Sequence, residues 1–486
     1  MSLICSKRLG ERRKWGIVFG QQSRQQILGI KRKVNLEKLH CNTSPIDVFE
    51  KLERSCEYIY LLESVEGPQK LAKFSFIGFN PHLLVSIKDG RAKTRETTNG
   101  REEIQETSDP LKIIKGEVQK RRVLSERFRL VGGAVGYISY DAVRYFERLP
   151  NTTTDDLQFP DIEMALFDDG IVFDHIDKEA YYYCQNENRI GEVESRIRDN
   201  IDYQEPLRYT TPVPTPKKED FKESVSKAKE YISSGDIFQV VLSKRYSFDI
   251  KGSLLPFYRA LRSINPSPYM YFLKMGERRI VGSSPEMLVR VEQSTVETYP
   301  IAGTRPRTED PAENQGLAEE LLSDPKERAE HVMLVDLARN DIGRVAEFAS
   351  VEIPEFMTVH QYSHVQHIVS RVTGKIRKDK DSFDVLKAML PAGTVSGAPK
   401  VRAMEIIDEL EPTRRGPYAG SVGYFAYNGN ADFAITIRTL TANRDKACIQ
   451  VGAGIVADSD PEKEWFETEQ KAAALMKALA QAGEEK

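Results

Sequence analysis

Two pairs of carboxylates at helical spacing are the residues of this sequence best suited to chemistry. Glu327 and Glu330 stand three residues apart in ERAEHVMLVDLARND, a stretch without Gly or Pro, so both lie on one face of a predicted helix. Glu464 and Glu467 repeat this spacing on a second predicted helix, with Lys471 one turn later. If the two helices face each other, the carboxylates form an oxygen-rich site suited to Mg²⁺. The alternative is a solvated helix face with neighbouring basic residues as counter-ions.

Three histidines close together raise the question of a zinc site. His360 and His364 have the i, i+4 spacing that places two ligands on one face of a helix. The residues from His364 to Ser370 are β-branched and partly alternating, as in a strand, on which His367 points away from His364. We therefore favour one catalytic or substrate-contacting histidine over a zinc site.

Two glycine-containing segments are candidates for anion binding. Gly452-Ala453-Gly454 follows a predicted strand, but no GxGxxG pattern follows it, so a dinucleotide site is not indicated. Backbone N–H groups of such a turn can still hold a carboxylate. The segment PAGTVSGAPK, residues 391–400, lacks the order of a Walker loop, and it is either a rigid anion-contacting loop or a plain helix entry.

Composition restricts the class of protein. The chain has 486 residues, which is too many for one ordinary core, and a net charge of −3 gives no sign of nucleic-acid binding. Five scattered cysteines without a CxxC pair favour a reducing compartment and argue against disulfides and zinc. No apolar run approaches the roughly 20 residues that span a bilayer. We expect a soluble, cytoplasmic protein that binds neither nucleic acid nor membrane.

Four segments are predicted along the chain. Residues 1–33 are basic and almost free of acids, which is typical of a transit peptide, a disordered arm or an upstream start-codon artefact. Residues 34–205 form an N-terminal regulatory or structural domain. Residues 206–217 are Pro-rich and read as a linker. Residues 218–486 form a second, catalytic domain.

The elements that must position these residues form an α+β pattern. Runs of predicted strands are separated by helices, rather than alternating with them one by one. Helices are predicted at 45–55, 218–233 and 253–264, and one long strand is predicted from Asp432 to Leu440. The residues before Glu327 are interpreted as a charged loop.

Together these residues carry a family pattern, and the sequence resembles the chorismate-utilising enzymes. The matching stretches cover most of residues 45–475 and leave the basic N-terminus outside. They include LLES (61–64), GDIFQVVLS (235–243), NPSPYMYF (265–272), GSSPE (282–286), PIAGTRPR (300–307), DPKERAEHVMLVDLARNDIGRV (324–345), VQHIVS (365–370), PAGTVSGAPK (391–400), GPYAGSVGYF (416–425) and GAGIVADSDPEKEWFETEQK (452–471).

The resemblance implies an α+β fold of antiparallel sheets packed as a sandwich and flanked by helices. It also implies a Mg²⁺-dependent reaction of chorismate, with Mg²⁺ held by Glu327, Glu330, Glu464 and Glu467, some through water. The substrate-binding residues that it implies are Gly303, Thr304, Thr394, Tyr418, Arg438, Gly452, Ala453, Gly454 and Lys471.

Three positions carry the chemistry that the resemblance implies. Glu286 matches the general acid that protonates the leaving C4 hydroxyl, which requires a raised pKa. Gln239 stands where relatives that add water have a Lys as general base, and an amide cannot take a proton from water. Ammonia needs no such base, so Gln239 points to ammonia addition at C2. His367 matches the residue that removes the C2 proton as pyruvate leaves, giving anthranilate, the first committed step of tryptophan biosynthesis.

Other activities of the family stay open as alternatives. Aminodeoxychorismate synthase has a nucleophilic Lys at the position of Ala302, and isochorismate or salicylate formation requires a base in place of Gln239. A catalytically dead relative is disfavoured, because all the matched residues are present. No G-x-C-x-G elbow occurs, so glutamine use would need a separate glutaminase subunit in a hetero-oligomer.

The resemblance also implies feedback inhibition by tryptophan. Such a site would act by binding one arrangement of the domains better than another. The alternative for LLES is an ordinary strand end. The residues that match the inhibitor site are Glu63, Ser64, Pro268, Tyr269, Met270, Val422 and Tyr424.

Overall fold

A computed structural model describes residues 33–40, 43–65, 73–125, 127–199, 205–362 and 365–485. The predicted basic extension therefore lies outside the described residues except for Lys33, and so does His364. The α+β class is confirmed, since two large, mostly antiparallel sheets are accompanied by helices. Among the described residues, no helix is both long and apolar enough to span a membrane.

The described residues contain ten α-helices. Most begin with a residue that satisfies free backbone N–H groups or with Pro in the first turn, as at Ser44-Pro45. The helices are α1 (Pro45–Glu53), α2 (Pro110–Gln119), α3 (Ile190–Arg198), α4 (Lys218–Ser233), α5 (Leu255–Ile264), α6 (Pro311–Ser323), α7 (Pro325–Gly343), α8 (Ser382–Met389), α9 (Lys400–Leu410) and α10 (Pro461–Ala482).

The strands divide between the two halves of the chain. The first half contains β1 (Asn35–Leu39), β2 (Tyr58–Glu63), β3 (Phe74–Phe79), β4 (Leu83–Lys88), β5 (Arg91–Glu96), β6 (Glu102–Glu106), β7 (Gly133–Ile138), β8 (Ile162–Phe167), β9 (Asp169–Asp174), β10 (Glu179–Cys184), β11 (Leu207–Tyr209) and β12 (Val213–Thr215). The second half contains β13 (Gln239–Lys251), β14 (Tyr269–Met275), β15 (Arg278–Ser284), β16 (Met287–Glu292), β17 (Thr295–Thr298), β18 (Ile301–Pro306), β19 (Glu352–Gln361), β20 (Val365–Lys375), β21 (Gly397–Ala398), β22 (Ser421–Ala426), β23 (Ala431–Ile435), β24 (Thr439–Asn443), β25 (Lys446–Ile455) and β26 (Gly483–Glu485).

Each sheet draws strands from both halves. The first has the order β1-β10-β9-β3-β2-β14-β15-β24-β25-β13-β11-β26, with β12 and β21 also on β13. The second has the order β18-β20-β17-β16-β23-β22-β7-β8-β4-β5-β6, with β19 on β20. The halves meet where β2 pairs with β14 and β7 pairs with β22. The residues predicted as a linker form β11 and β12, which pair with β13. The predicted domain boundaries stay a prediction.

The first sheet is buried on both faces. Tyr60 of β2 belongs to the larger apolar core, which also contains residues of the second sheet, such as Val135. Ile59 and Leu61, which point to the opposite face, belong to a separate core with residues of α1, α3, α5 and α10. The two sheets therefore pack face to face, and these four helices cover the outer face of the first.

Three local predictions were wrong. The predicted strand from Asp432 to Leu440 is broken, because Arg438 adopts φ +50° and β23 and β24 belong to different sheets. Gly452 to Gly454 form no turn but continue β25, since the ladder with β13 runs without interruption. The charged loop before Glu327 contains α6, whose start at Asp310-Pro311 is an ordinary helix signal, with the Asp310 side chain capping the helix.

Candidate active site

The two carboxylate pairs face each other across a cleft between α7 and α10. The pKa of Glu330 is raised, chiefly by burial and then by the negative charge of Glu327, and Glu467 of the other helix adds to the effect. The pKa of Glu464 is also raised, by burial and by Glu467, while Lys326 of the opposite helix lowers it. Because charged groups on each helix shift the pKa of a carboxyl on the other helix, the two pairs lie close together.

The cleft fits a hydrated cation better than a bare one. Among the described residues, no three His, Cys, Asp or Glu side chains are close enough to hold one metal ion directly. Glu464 Oε2 is a buried oxygen without a hydrogen-bond partner, and burial, followed by the charge of neighbouring carboxylates, raises the pKa values of Glu330 and Glu464. Hard carboxylate oxygens that leave room for water are a suitable donor set for Mg²⁺.

Lys471, Tyr418 and the glycines of β25 form the adjoining wall. Lys471 Nζ donates to the Gly452 carbonyl at 2.9 Å and lies 2.7 Å from Glu467. The Tyr418 hydroxyl packs against Gly452, where an added Cβ would lie 2.7 Å from the oxygen. Ala453 is buried between the two glycines and lies opposite Leu242 in the ladder. The absence of side chains at the glycines lets the ammonium and phenol approach the backbone.

Gln239 begins β13 at the floor of the cleft. Its side chain hydrogen-bonds Glu330, which lowers the pKa of that carboxyl, while the Gln239 Oε1 atom is buried without a donor. Gly454 makes room for the amide, since an added Cβ there would come within 2.6 Å of Gln239 Nε2. The cleft therefore presents a neutral acceptor at this position.

Glu286 follows β15, is partly buried and lies close to Lys471 and Arg438. Burial raises the pKa of its carboxyl to about 7, although the nearby Thr394 hydroxyl, Lys471 and Arg438 act in the opposite direction. Arg438 donates to the Asn265 side chain at 3.1 Å, and burial lowers the pKa of its guanidinium. A carboxyl with this pKa is protonated in a substantial fraction of molecules at neutral pH.

His367 lies on β20 with its ring held in one orientation. Its Nδ1 lies 2.7 Å from the Gly303 carbonyl, which can only accept, so Nδ1 carries the proton and Nε2 is free to act as a base. The Thr304 hydroxyl lies 3.1 Å from the same nitrogen. Burial lowers the pKa of His367, which keeps the ring neutral. Gly303 also packs against Glu327, linking the histidine to the carboxylates.

The other histidine of the cluster does not join His367 in a metal site. His360 lies opposite His367 on β19, but its Nε2 contacts the Glu355 carboxylate. His364 is outside the described residues.

Two charged residues of the site were missed. Lys326 is close enough to both carboxylate pairs for its charge to lower the pKa values of Glu330 and Glu464. The Arg305 guanidinium lies 3.6 Å from Glu327. Arg305 belongs to PIAGTRPR and Lys326 to DPKERAEHVMLVDLARNDIGRV, so membership of a matching stretch was a signal for both residues.

A separate cavity contains every residue of the predicted inhibitor site. It lies between β2, β14 and β22, and the Ser64 Oγ atom is buried there without a partner. The Glu63 carboxylate accepts from Tyr258 at 2.7 Å and from Arg262 at 3.2 Å. The predicted residues lining it are Glu63, Ser64, Pro268, Tyr269, Met270, Val422 and Tyr424, and it is also lined by Arg129, Arg290 and Asp432.

Known proteins resemble this chain over nearly its whole length. The family described as chorismate binding enzyme matches residues 93–477. Anthranilate synthase component 1 of Acetivibrio thermocellus is 48% identical over 465 residues, covering 91% of this chain and 94% of that protein. The protein of the same name from Methanothermobacter marburgensis is 48% identical over 453 residues, covering 93% and 96%. The crystal structure of anthranilate synthase component I from Streptococcus pneumoniae, 37% identical, superposes with a TM-score of 0.75 and covers 83% of this chain and 92% of that one.

Proposed function

The chain belongs to the chorismate-binding enzyme family, and its similarity to anthranilate synthase component 1 proteins marks it as an enzyme of that kind. On this premise we propose that it converts chorismate and ammonia to anthranilate and pyruvate. The observation that carries the proposal is Gln239, a neutral amide with an unpartnered buried oxygen, at the position where water addition would need a base.

In the first half-reaction, ammonia adds to chorismate and the C4 hydroxyl group leaves. Ammonia attacks C2 of chorismate, and the double bonds shift as the C4 hydroxyl leaves. The protonated Glu286 carboxyl donates its proton to that hydroxyl, so that water departs. Gln239 Oε1 accepts an N–H of the ammonia and orients its lone pair toward the ring. The ammonium group formed on C2 releases one proton to solvent, which leaves a 2-amino diene that still carries the enolpyruvyl group.

The second half-reaction produces the aromatic ring. His367 Nε2 removes the proton from C2, while Nδ1 keeps its hydrogen bond to Gly303. The electrons of that C–H bond form the last double bond of the aromatic ring, and the bond between the ring and the enolpyruvyl oxygen breaks. The departing enolate takes up a proton at its methylene carbon, which the protonated His367 can return, and becomes pyruvate. Lys471, Tyr418 and Arg438 hold the substrate carboxylates during both steps.

We propose Mg²⁺ as the cofactor, held by Glu327, Glu330, Glu464 and Glu467, partly through water. Bound there, the ion would supply positive charge that offsets the repulsion between these side chains and the carboxylates of chorismate. Without it, a dianionic substrate would have to enter a cleft already lined by four acidic side chains.

Mg²⁺ is expected to raise the melting temperature, and more so at pH 8 than at pH 5. The raised pKa values of Glu330 and Glu464 mean that the folded protein gains stability as these groups take up protons, and loses it as pH rises through their folded pKa values. Mg²⁺ offsets a repulsion that grows as these carboxyl groups lose their protons. The change in melting temperature is measured by thermal denaturation with Mg²⁺ between 0 and about 10 mM. This range saturates weak sites of this type.

The control for this prediction is Glu464→Gln, which removes one donor without changing shape. It should reduce the shift caused by Mg²⁺ at pH 8, whereas Glu192→Gln on the remote α3 should leave it unchanged. Equal shifts in all three proteins would mean that Mg²⁺ binds elsewhere.

Ammonia would come from a separate glutaminase subunit, which we propose as the partner in a hetero-oligomer. The five cysteine contexts contain no nucleophile elbow, so the chain has no glutaminase motif of this type. Free ammonium should therefore replace the partner in the test.

The test uses purified protein with chorismate, Mg²⁺ and ammonium at mildly alkaline pH, with product fluorescence and mass as readouts. Anthranilate and pyruvate in equal amounts support the proposal. A 4-amino product without pyruvate would indicate aminodeoxychorismate synthesis and show that Ala302 is no obstacle to it. Isochorismate or salicylate would contradict the role given to Gln239.

A further inference from the structure

We propose that Arg415, which has no role in the steps above, is a positioning residue that holds three substrate-contacting segments in register. The proposal rests on the proposed function, because these segments are the ones assigned to chorismate. Arg415 follows α9 and lies at the junction of β13, the Gly393–Val395 turn and the segment that leads to Tyr418. Its side chain is only 1% exposed.

The guanidinium of Arg415 makes four hydrogen bonds, and two of them reach backbone carbonyls on different segments. Nε and Nη2 donate to the two carboxylate oxygens of Glu411 at 2.9 and 2.6 Å. Nη1 donates to the Val395 carbonyl and Nη2 to the Val241 carbonyl, each at 2.7 Å. The planar fork therefore bridges a turn and a strand that are distant in sequence.

The bridged carbonyls are next to the substrate pocket. Val395 directly follows Thr394, whose hydroxyl lies beside the Glu286 carboxyl. Val241 is two residues beyond Gln239 on β13 and pairs with Gly454. A shift of either carbonyl would therefore displace a residue that faces substrate.

The third segment is the one that contains Tyr418, and Arg415 contacts the Tyr418 ring. The Arg415 guanidinium lies 5.6 Å from its centroid and 4.7 Å from that of Tyr140 on the other side. Both distances are in the range of cation–π contacts. The phenol of Tyr418 is thereby fixed against Gly452.

Glu411 extends the same network to β25. Its Oε1 accepts from Ser243 N and Ser243 Oγ, both at 2.8 Å. Ser243 lies opposite Gly452 and also accepts from the Gln450 amide at 2.8 Å. One buried ion pair thus connects Thr394, Gln239, Tyr418 and Gly452.

The Arg415–Glu411 ion pair is better explained by a role in positioning the substrate-contacting segments than by a contribution to stability. Buried ion pairs commonly contribute little net stability, because desolvation offsets their attraction, although removing one partner alone is destabilising. Lys cannot replace the fork, since an ammonium on a flexible stem does not reproduce two parallel N–H bonds to a carboxylate together with two carbonyl contacts. Stability and substrate positioning can therefore be separated by substitution.

The test compares wild type with Arg415→Met, the double variant Glu411→Gln/Arg415→Met, and Arg415→Lys. Melting temperature and the KM and kcat for chorismate are measured at saturating ammonium and Mg²⁺. Arg415→Met should lose both stability and about 100-fold in kcat/KM, the size expected for a displacement of about 1 Å. The double variant should recover most of the melting temperature, because it leaves no unpaired buried charge, and should keep the loss in kcat/KM.

Arg278→Lys is the matched control. Arg278 makes a similar two-bonded contact with the buried Glu163, far from the cleft, so Arg278→Lys should lose stability and keep kcat/KM within about 2-fold. If activity returns together with stability in the double variant, Arg415 is merely structural and the proposal is wrong. If the double variant does not fold, Arg415→Lys decides: a loss no larger than that of Arg278→Lys would overturn the proposal. Absence of product from wild type would instead defeat the proposed function.

Discussion

Glu286→Gln is expected to lower kcat by about 10³-fold, which is within the range of general acid catalysis. The amide has the shape of the carboxyl but cannot give a proton to the leaving hydroxyl. Substrate contacts through Lys471, Tyr418 and Arg438 remain, so the KM for chorismate should change much less than kcat. Steady-state kinetics with ammonium, followed by anthranilate fluorescence, give both constants.

The pH profile tests the protonation state of Glu286. Burial raises the pKa of this group to about 7, so the active, protonated form decreases as pH rises through that value. With the concentration of unprotonated ammonia held constant, kcat/KM for chorismate should show a falling limb near pH 7. The residual activity of Glu286→Gln should lack that limb. A wild-type profile that stays flat between about pH 6 and 8.5 would contradict the assignment.

The same substitution should stabilise the protein at alkaline pH. A shift from the ordinary 4.5 to about 7 corresponds to roughly 3 kcal/mol disfavouring the folded state when Glu286 is ionised. This penalty is absent at low pH and appears as pH rises through the folded pKa. Glu286→Gln should therefore melt higher than wild type at pH 8.5 and close to it at pH 5, while the surface control Glu192→Gln shows no such difference. Loss of activity together with reduced stability would indicate a disturbed fold.

The helices and strands around the site could be predicted well where local pattern and tertiary environment agree. Glu327 and Glu330 were placed on one helix face by spacing alone, and α7 bears them as predicted. What spacing could not reveal is the partner of that face, because the two carboxylate pairs are more than 130 positions apart in the sequence. The coupling of Glu330 with Glu467 appears only in the folded chain.

The wrong local predictions also arise from tertiary contacts that the local sequence does not reveal. Nothing in the local pattern from Asp432 to Leu440 marks the break at Arg438, whose positive φ lets β23 and β24 join different sheets. Gly452 to Gly454 have weak strand propensity, yet the long partner β13 imposes a ladder on them. Arg415 drew no attention in the sequence, since a basic residue in EPTRRGPY is ordinarily a surface residue and its burial follows from Glu411 and two distant carbonyls.

We propose that the cavity containing Ser64 binds tryptophan as an inhibitor, and Ser64→Phe is expected to abolish that inhibition, raising the inhibitory concentration at least about 100-fold, while turnover changes less than about 2-fold. The cavity that contains Ser64 has a volume of about 50 Å³. A benzyl group in place of a hydroxymethyl occupies the space that an indole ring would need. None of the residues lining this cavity belongs to the active-site cleft, so the chemistry should survive.

The fold suggests how the cavity and the cleft can communicate. Arg290 lines the cavity and lies on β16, four residues after Glu286, where it binds Asp432 of β23 at 2.8 Å. The N–H of Ile435, at the end of β23, donates to the Glu286 carbonyl at 3.1 Å. A ligand that moves β16 relative to β23 would therefore move the general acid, which is a physical link between the two sites.

Ser64→Ala is the matched control for the size of the side chain, and it should keep tryptophan inhibition within a few-fold of wild type. A direct measurement of binding separates the binding of tryptophan from the inhibition that it causes. Titration calorimetry should detect tryptophan with wild type and Ser64→Ala and no heat with Ser64→Phe. If Ser64→Phe still binds tryptophan but is not inhibited, the cavity is not the binding site and Ser64 acts only in transmission. If it is inhibited as strongly as wild type, the assignment of this cavity to tryptophan is wrong, and the effector must bind at a surface that the substitution does not reach.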